Sequence, residues 1–170
     1  MKNFAAFCCM IALSLTLFGC GEPTAATTQQ PDEAVVSASE VAEPQKALEK
    51  IYENIDIIGI LPAIDSVMED QFNISPDLLD EYYVNYSSGR YGVADVFILK
   101  PAKDQLLNVR ELLEQVKLNR IKEFENYDIH NSYQIAQDAE IFEQDDYVIM
   151  LMLDDSEAAR KIIDQYLPKK

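Results

Sequence analysis

Few residues of this chain have side chains suited to covalent or acid–base catalysis. Its three cysteines, Cys8, Cys9 and Cys20, all lie within the first 20 residues, and its only histidine is His130. A serine or cysteine nucleophile activated by histidine would have to use that one imidazole. Neither a G-x-S-x-G turn nor a glycine-rich phosphate loop accompanies it. The sequence therefore predicts a protein that is not an enzyme, with His130 as an ordinary surface side chain.

Acidic residues are plentiful, but they are not spaced like a metal site. They occur as pairs at Asp80-Glu81, Asp145-Asp146 and Asp154-Asp155. Adjacent acids point in different directions on a strand or helix, and no D-x-D-x-D-G calcium loop is present. A thiolate zinc site needs cysteines, and none follows Cys20. We expect no metal and no cofactor. Hydrolysis of an envelope polymer by carboxylates alone stays open as the alternative function.

Arg120 is the most informative charged residue. At helical spacing it shares a face with Val109, Leu113, Val116 and Phe124, inside an apolar stripe. A guanidinium buried there must be paired, and Asp95 on a predicted strand is the candidate partner. The pair would be structural, fixing the register of helix and strand. In the other interpretation, Arg120 binds an anionic ligand in a cleft.

Four tyrosines crowd one predicted hairpin, namely Tyr82, Tyr83, Tyr86 and Tyr91. Tyrosine is large, stiff and amphipathic, which suits a recognition surface. It is also a favoured strand residue, so the cluster has a purely structural explanation as well. We name these four residues as the possible binding surface.

The net charge is −16. A chain this acidic is not expected to bind nucleic acid, because contacts with phosphates require a basic surface. Electrostatic docking on anionic lipid is disfavoured for the same reason. The charge is compatible with a soluble domain and with cationic partners.

The N-terminus contains one cysteine with a distinct chemical role. Met1-Lys2-Asn3 is followed by an apolar run from Phe4 to Phe18, which is shorter than the roughly 20 residues that span a bilayer. Leu17-Phe18-Gly19-Cys20 then resembles a bacterial lipobox, although Phe18 is bulkier than usual. The resemblance implies cleavage before Cys20 and attachment of diacylglycerol to its thiol. An ordinary secretory signal and an uncleaved anchor are the alternatives.

The next segment, residues 20–43, is acidic and rich in Thr, Ala, Gln and Ser. Such a composition cannot bury enough apolar surface to offset the entropy of ordering, and it predicts a disordered tether. The predicted organisation is therefore a signal peptide over 1–19, lipidated Cys20 with an acidic linker over 20–43, and one domain over 44–170.

Residues 44–170 predict an α+β domain. Two short helices are expected over 45–55 and 63–72, and strands over 81–87 and 93–99. A long helix over 102–126 follows, then a second hairpin around Gln144-Asp145-Asp146 and a last helix capped by Asp154. The run YVIMLML predicts a central strand, because it is apolar without alternation. The expected architecture is an antiparallel four-stranded sheet of two hairpins with helices packed on it, in the order αα-ββ-α-ββ-α.

Three segments of this pattern resemble a known family. They are ADVFILK (Ala94–Lys100), RIKEFENY (Arg120–Tyr127) and AEIFEQDDYVIMLMLDD (Ala139–Asp155). They are similar to a group of lipoproteins of Gram-positive bacteria that is known only as domain of unknown function 4358. This chain departs from the usual pattern in the last hairpin turn, where Asp145-Asp146 replaces a glycine. The resemblance implies a surface lipoprotein and implies no activity.

These observations predict a non-enzymatic binding module, lipid-anchored to the extracytoplasmic face of the cell membrane. Its expected partners are the membrane, through the anchor, and an unidentified envelope protein or small ligand. Self-association through an exposed sheet face is a third expectation.

Overall fold

The structure is a computed structural model that describes residues 41–53, 55 and 57–169. Five α-helices and five strands alternate irregularly along this part of the chain. The helices are α1 (Pro44–Tyr52), α2 (Asp65–Asp70), α3 (Leu106–Phe124), α4 (Ser132–Asp138) and α5 (Ser156–Tyr166). The strands are β1 (Ile60–Pro62), β2 (Leu79–Ser87), β3 (Asp95–Pro101), β4 (Glu140–Gln144) and β5 (Tyr147–Met152). A single 3-10 turn, Pro76–Leu78, leads into β2.

The strands form one open antiparallel sheet in the order β1-β2-β3-β5-β4. β5 pairs with β3 on one side and β4 on the other, and all six of its residues are buried. The prediction that the YVIMLML segment forms a central strand is therefore confirmed. β3 is nearly as apolar, with Asp95 as its one buried charge.

Helices cover both faces of the sheet. Alternate residues of β3 point to opposite sides, so Phe97 and Leu99 enter one core while Val96 and Ile98 enter the other. The first core is completed by apolar residues of α2, α3 and α4, and the second by those of α1 and α5. This packing explains why the two central strands carry no alternation of polar and apolar residues.

The α+β class with an antiparallel sheet is as predicted, but the number of strands is not four. β1 is a fifth strand that pairs with β2, with Ile60 opposite Ser87 and Pro62 opposite Asn85. Three residues are too few to show alternation. Proline also argues against a strand unless it lies at a sheet edge, where β1 lies. Helix α4 is also absent from the predicted order, and the observed order is α-β-α-β-β-α-α-β-β-α.

The last helix begins one residue later than predicted. Asp155, not Asp154, is its N-cap, and the Asp155 carboxylate accepts a hydrogen bond of 2.9 Å from the backbone N–H of Ala158. This hydrogen bond satisfies one of the backbone donors left free at a helix start.

The predicted signal peptide, Cys20 and the linker as far as residue 40 lie outside the described residues. Pro44, the predicted start of the domain, is the first residue of α1. Within the described part of the chain, no helix is both long and apolar enough to cross a bilayer.

Candidate functional site

Arg120 and Asp95 form a buried ion pair between α3 and β3. The Arg120 Nε donates to Asp95 Oδ2 at 2.7 Å, and the side chains are 6% and 0% exposed respectively. The arginine projects from the same helix face as Val116 and Phe124, which are both buried. The structure thus brings together the two residues that the sequence places on different elements.

Ser87, at the end of β2, completes this pair into a network. Arg120 Nη2 donates to the Ser87 carbonyl at 2.8 Å, while the Ser87 N–H donates to Asp95 Oδ1 at 2.8 Å. Arg120 Nη1 reaches outward to Glu123 Oε2 at 2.7 Å. Each guanidinium nitrogen therefore has a partner within the protein, and the arrangement corresponds to the structural alternative instead of an open anion site.

Burial and ion pairing shift the pKa of Asp95, and that of Arg120, in opposite directions. Burial raises the pKa of Asp95, and the charge of Arg120 and the hydrogen bonds from Ser87 only partly offset that effect. For Arg120, burial alone would lower the pKa, but Asp95 and Glu123 together raise it. The guanidinium is therefore firmly charged and available to stabilise Asp95 in its ionised form.

The network also holds the connection between β2 and β3, residues 88–94. Ser87 Oγ donates to the Gly92 carbonyl at 2.7 Å. Farther along this connection, the Val93 N–H donates to Ser132 Oγ at 2.9 Å, and this second bond ties it to the start of α4. Gly89 has a φ of +77°, and a Cβ at this position would lie 2.1 Å from Glu123 Oε1. The Glu123 side chain is partly exposed and can move aside, so it is the left-handed backbone conformation that favours glycine here.

The four hairpin tyrosines do not share one surface. Tyr82 packs towards the first core and donates to Asp65 through its hydroxyl, whereas Tyr83 faces the other side of the sheet and donates to Glu81 at 3.0 Å. Tyr86 is buried, with its ring edge-on to Phe72 at a centroid distance of 5.3 Å. Tyr82 and Tyr83 face opposite sides because neighbouring side chains of a strand point to opposite faces of the sheet.

Tyr91, which follows β2, lines a cavity of about 580 Å³ at one end of the sheet. This volume lies in the range typical of small-molecule sites, roughly 300–1,000 Å³. The cavity is open to solvent and is lined by the end of α1, the following segment, the β2–β3 connection, the start of α4 and the start of α5. Most of its lining is aliphatic, and it comprises Ile51, Ile55, Ile57, Ile58, Val93, Ala94, Ile135, Leu153, Ala158, Ala159 and Ile162.

The remaining lining residues are polar: Tyr91, His130, Ser132, Asp154 and Asp155. The Ser132 hydroxyl is already engaged, since it donates to the Ile129 carbonyl and accepts from the Val93 N–H. His130 and Asn131 both adopt left-handed backbone conformations, with φ of 50° and 61°. His130 is exposed, as predicted, and that uncommon turn places it at the rim of the cavity.

These groups are not arranged like a hydrolytic site. In the described residues, the carboxyl with a raised pKa is Asp95, and it is buried against Arg120, away from the cavity lining. Asp154 and Asp155 are adjacent in the chain and exposed, and Asp155 caps a helix. Across the same residues, no group of three or more histidine, cysteine or acidic side chains is placed to hold a metal ion.

The cavity was not predicted from the sequence. The sequence feature that could have indicated the cavity is the segment at residues 55–60, where isoleucines recur at 55, 57, 58 and 60 next to Gly59. In the structure, Ile55, Ile57 and Ile58 lie between α1 and β1, outside any helix or strand. Aliphatic side chains on an irregular segment have no regular element to bury them, and three of these four line the cavity.

Fold and cavity together define an α+β domain with an aliphatic pocket at one end of an antiparallel sheet. The chain belongs to the family described as a domain of unknown function, DUF4358, whose model matches residues 54–153. This match includes the whole Arg120 network and most of the cavity wall, while α1 and α5 lie outside it. No curated protein and no solved structure matches the chain.

Proposed function

We propose that this protein is a lipid-anchored binding module of a Gram-positive envelope, and that its cavity holds a small ligand with an apolar body. The observation that carries the binding function is the aliphatic cavity of about 580 Å³ between α1, α4 and α5. An apolar pocket with a few convergent polar groups is the usual form of a small-molecule site.

The anchor is supported by the N-terminal sequence. The apolar run from Phe4 to Phe18 ends in Leu17-Phe18-Gly19-Cys20, and Cys20 is the last cysteine of the chain. Two acyl chains from a diacylglycerol attach a protein stably to a membrane, whereas a single chain binds only marginally. The acidic linker that follows would separate the domain from the lipid surface.

Mass spectrometry of the full chain, expressed in a Gram-positive host, tests the anchor. We expect a mature N-terminus at Cys20 carrying diacylglycerol, and recovery in the membrane fraction. The Cys20→Ala variant should lack the lipid, while Cys8→Ala and Cys9→Ala should remain lipidated because these residues lie in the leader. An unmodified Cys20 in the native protein would contradict the proposal.

Methyl NMR of the full chain in zwitterionic lipid nanodiscs tests the cavity. The isoleucine δ1 methyl groups are labelled, and hexanol is added as a small neutral probe, with empty nanodiscs as the blank. We expect shifts at Ile58 and Ile162, which line the cavity, and none at Ile149, which is buried in the sheet.

Two matched variants on α5 make this test specific. Ala158→Phe places a ring in the cavity and should abolish the hexanol-dependent shifts. Gln165→Phe adds the same ring at an exposed position of the same helix that is not part of the cavity lining, and it should leave the shifts unchanged. Hexanol that shifts no cavity methyl group, or that does so equally in both variants, would refute a binding cavity.

A further inference from the structure

We infer that the ligand carries a cationic amine head on an aliphatic body; this inference rests on the proposed function and specifies the ligand's chemical class. Two features of the cavity lead to it. The wall is aliphatic, and the charged residues that line it are acidic.

The aliphatic part of the ligand follows from the shape and exposure of the wall. Ile51, Ile135 and Ala159 are buried apolar residues of the lining. At the mouth, Ile58 is 65% exposed, which is unusual for a large hydrophobic side chain beside a pocket. Covering such a surface with an apolar group is favourable by about 25 cal/mol per Å².

The charge of the ligand follows from the lining residues. Asp154 and Asp155 lie together where β5 passes into α5, and no lysine or arginine lines the cavity among the residues that the structure describes. Within the same residues, no hydrogen bond or ion pair engages the Asp154 carboxylate.

Basic residues that neighbour lining residues in the chain already have partners: Lys50 pairs with Glu53, and Arg160 pairs with Glu140. Arg90 lies against the ring of Tyr91, with its guanidinium carbon 5.6 Å from the ring centroid. Lys161 donates to Glu157 at 2.7 Å. An anionic ligand would therefore meet two carboxylates without a free cation in the lining, whereas an ammonium group would be attracted.

The charge inference is tested with three probes of equal chain length: hexylammonium, hexanol and hexanoate. Each is titrated into the full chain in zwitterionic nanodiscs, with the cavity isoleucine methyl groups as the readout. We expect hexylammonium to bind about tenfold more tightly than hexanol, and hexanoate more weakly than either, with the preference reduced at high salt.

Removal of the two charges provides the decisive comparison. Asp154→Asn with Asp155→Asn should reduce the preference for hexylammonium over hexanol to less than about threefold, because neutral carboxamides exert much weaker attraction. Asparagine can still cap α5 in place of Asp155, so the fold is retained. Asp77→Asn with Asp80→Asn makes the same change in net charge at exposed positions outside the cavity lining, and should keep the full preference.

The outcomes separate this inference from the proposed function. If hexanol and hexylammonium bind the cavity equally, the cavity is a binding site but the ligand class is wrong. If none of the three probes moves a cavity methyl group, the proposed function fails as well. If the chain is a dimer that Ala158→Phe converts to a monomer, a second copy occupies the cavity and the inference is overturned.

Discussion

Replacing Arg120 with methionine should destabilise the protein by about 4 kcal/mol at neutral pH. Methionine fills much of the arginine volume, so the loss reflects charge and hydrogen bonding more than a cavity. The largest contribution comes from Asp95, which is fully buried and would lose the donor 2.7 Å from its Oδ2. Breaking a buried pair by removing one partner typically destabilises by about 3–5 kcal/mol.

The other two contacts of Arg120 contribute less. The Ser87 carbonyl loses a donor at 2.8 Å and is buried, which adds roughly 1 kcal/mol. The Glu123 side chain is 44% exposed and can turn to water, so its loss is small. Domains of this size are stable by about 5–15 kcal/mol, so the variant should fold but unfold at a much lower urea concentration.

The cost of Arg120→Met should depend on pH in a defined direction. Burial already raises the pKa of Asp95 above its ordinary 3.8, and loss of the arginine charge raises it further. A carboxyl with a higher pKa in the folded than in the unfolded state lowers stability as pH rises through that interval. The deficit should therefore be largest near neutral pH and shrink as the pH falls towards about 4.

Urea unfolding followed by circular dichroism is the suitable assay, because the chain contains no tryptophan. Adding Asp95→Asn to Arg120→Met should restore about 1–3 kcal/mol, because it removes the unpaired charge. Arg110→Met is the matched control. Arg110 lies on the same helix as Arg120, but its salt bridge to Glu143 of β4 is 42% exposed on both sides, so the change should lower stability by under about 1 kcal/mol. A loss that small for Arg120→Met, or no recovery in the double variant, would refute this reasoning.

Three further predictions concern single positions. Gly89→Ala should lower the melting temperature by several degrees, because φ is +77°, a conformation that is strained for a residue with a Cβ. An unchanged melting curve would contradict this backbone conformation. Asp155→Ala should lower the unfolding free energy by about 1 kcal/mol in urea, whereas Asp155→Asn should have little effect, since only asparagine retains the cap. Burial and the hydrogen bond to Asp65 raise the pKa of Tyr82 from 10.0 to about 12. The unfolding free energy of the wild type should therefore fall as the pH rises from about 10 to about 12, and that of Tyr82→Phe should fall less. Parallel pH profiles of the two proteins would argue against that environment of Tyr82.

The interior of the sheet was predictable because its sequence signal is strong and local. The uninterrupted apolar run at Tyr147–Met152 predicts a strand covered on both faces, and the structure places it between β3 and β4. The α3 stripe likewise predicts which helix face is buried, including Arg120. In both cases the pattern reflects the environment of each residue along one element.

The edge of the sheet was not predictable in the same way. β1 exists because Ile60, Leu61 and Pro62 pair with the far end of β2, which is a contact between distant segments. Nothing in three residues containing a proline favours a strand by itself. Pairing with the edge of β2 stabilises β1 as a strand, which its own three residues do not.

The sequence alone determined the class of fold, the central strands and the need for a partner for Arg120, because each follows from residue type and short-range periodicity. Only the tertiary structure decided that Tyr82 and Tyr83 face opposite sides and that Ile58, Tyr91, His130 and Asp154 surround one cavity. Those four residues come from separate segments, and their proximity depends on how helices and strands pack across the sheet. Packing of that kind is a property of the assembled core, which a one-dimensional pattern does not contain.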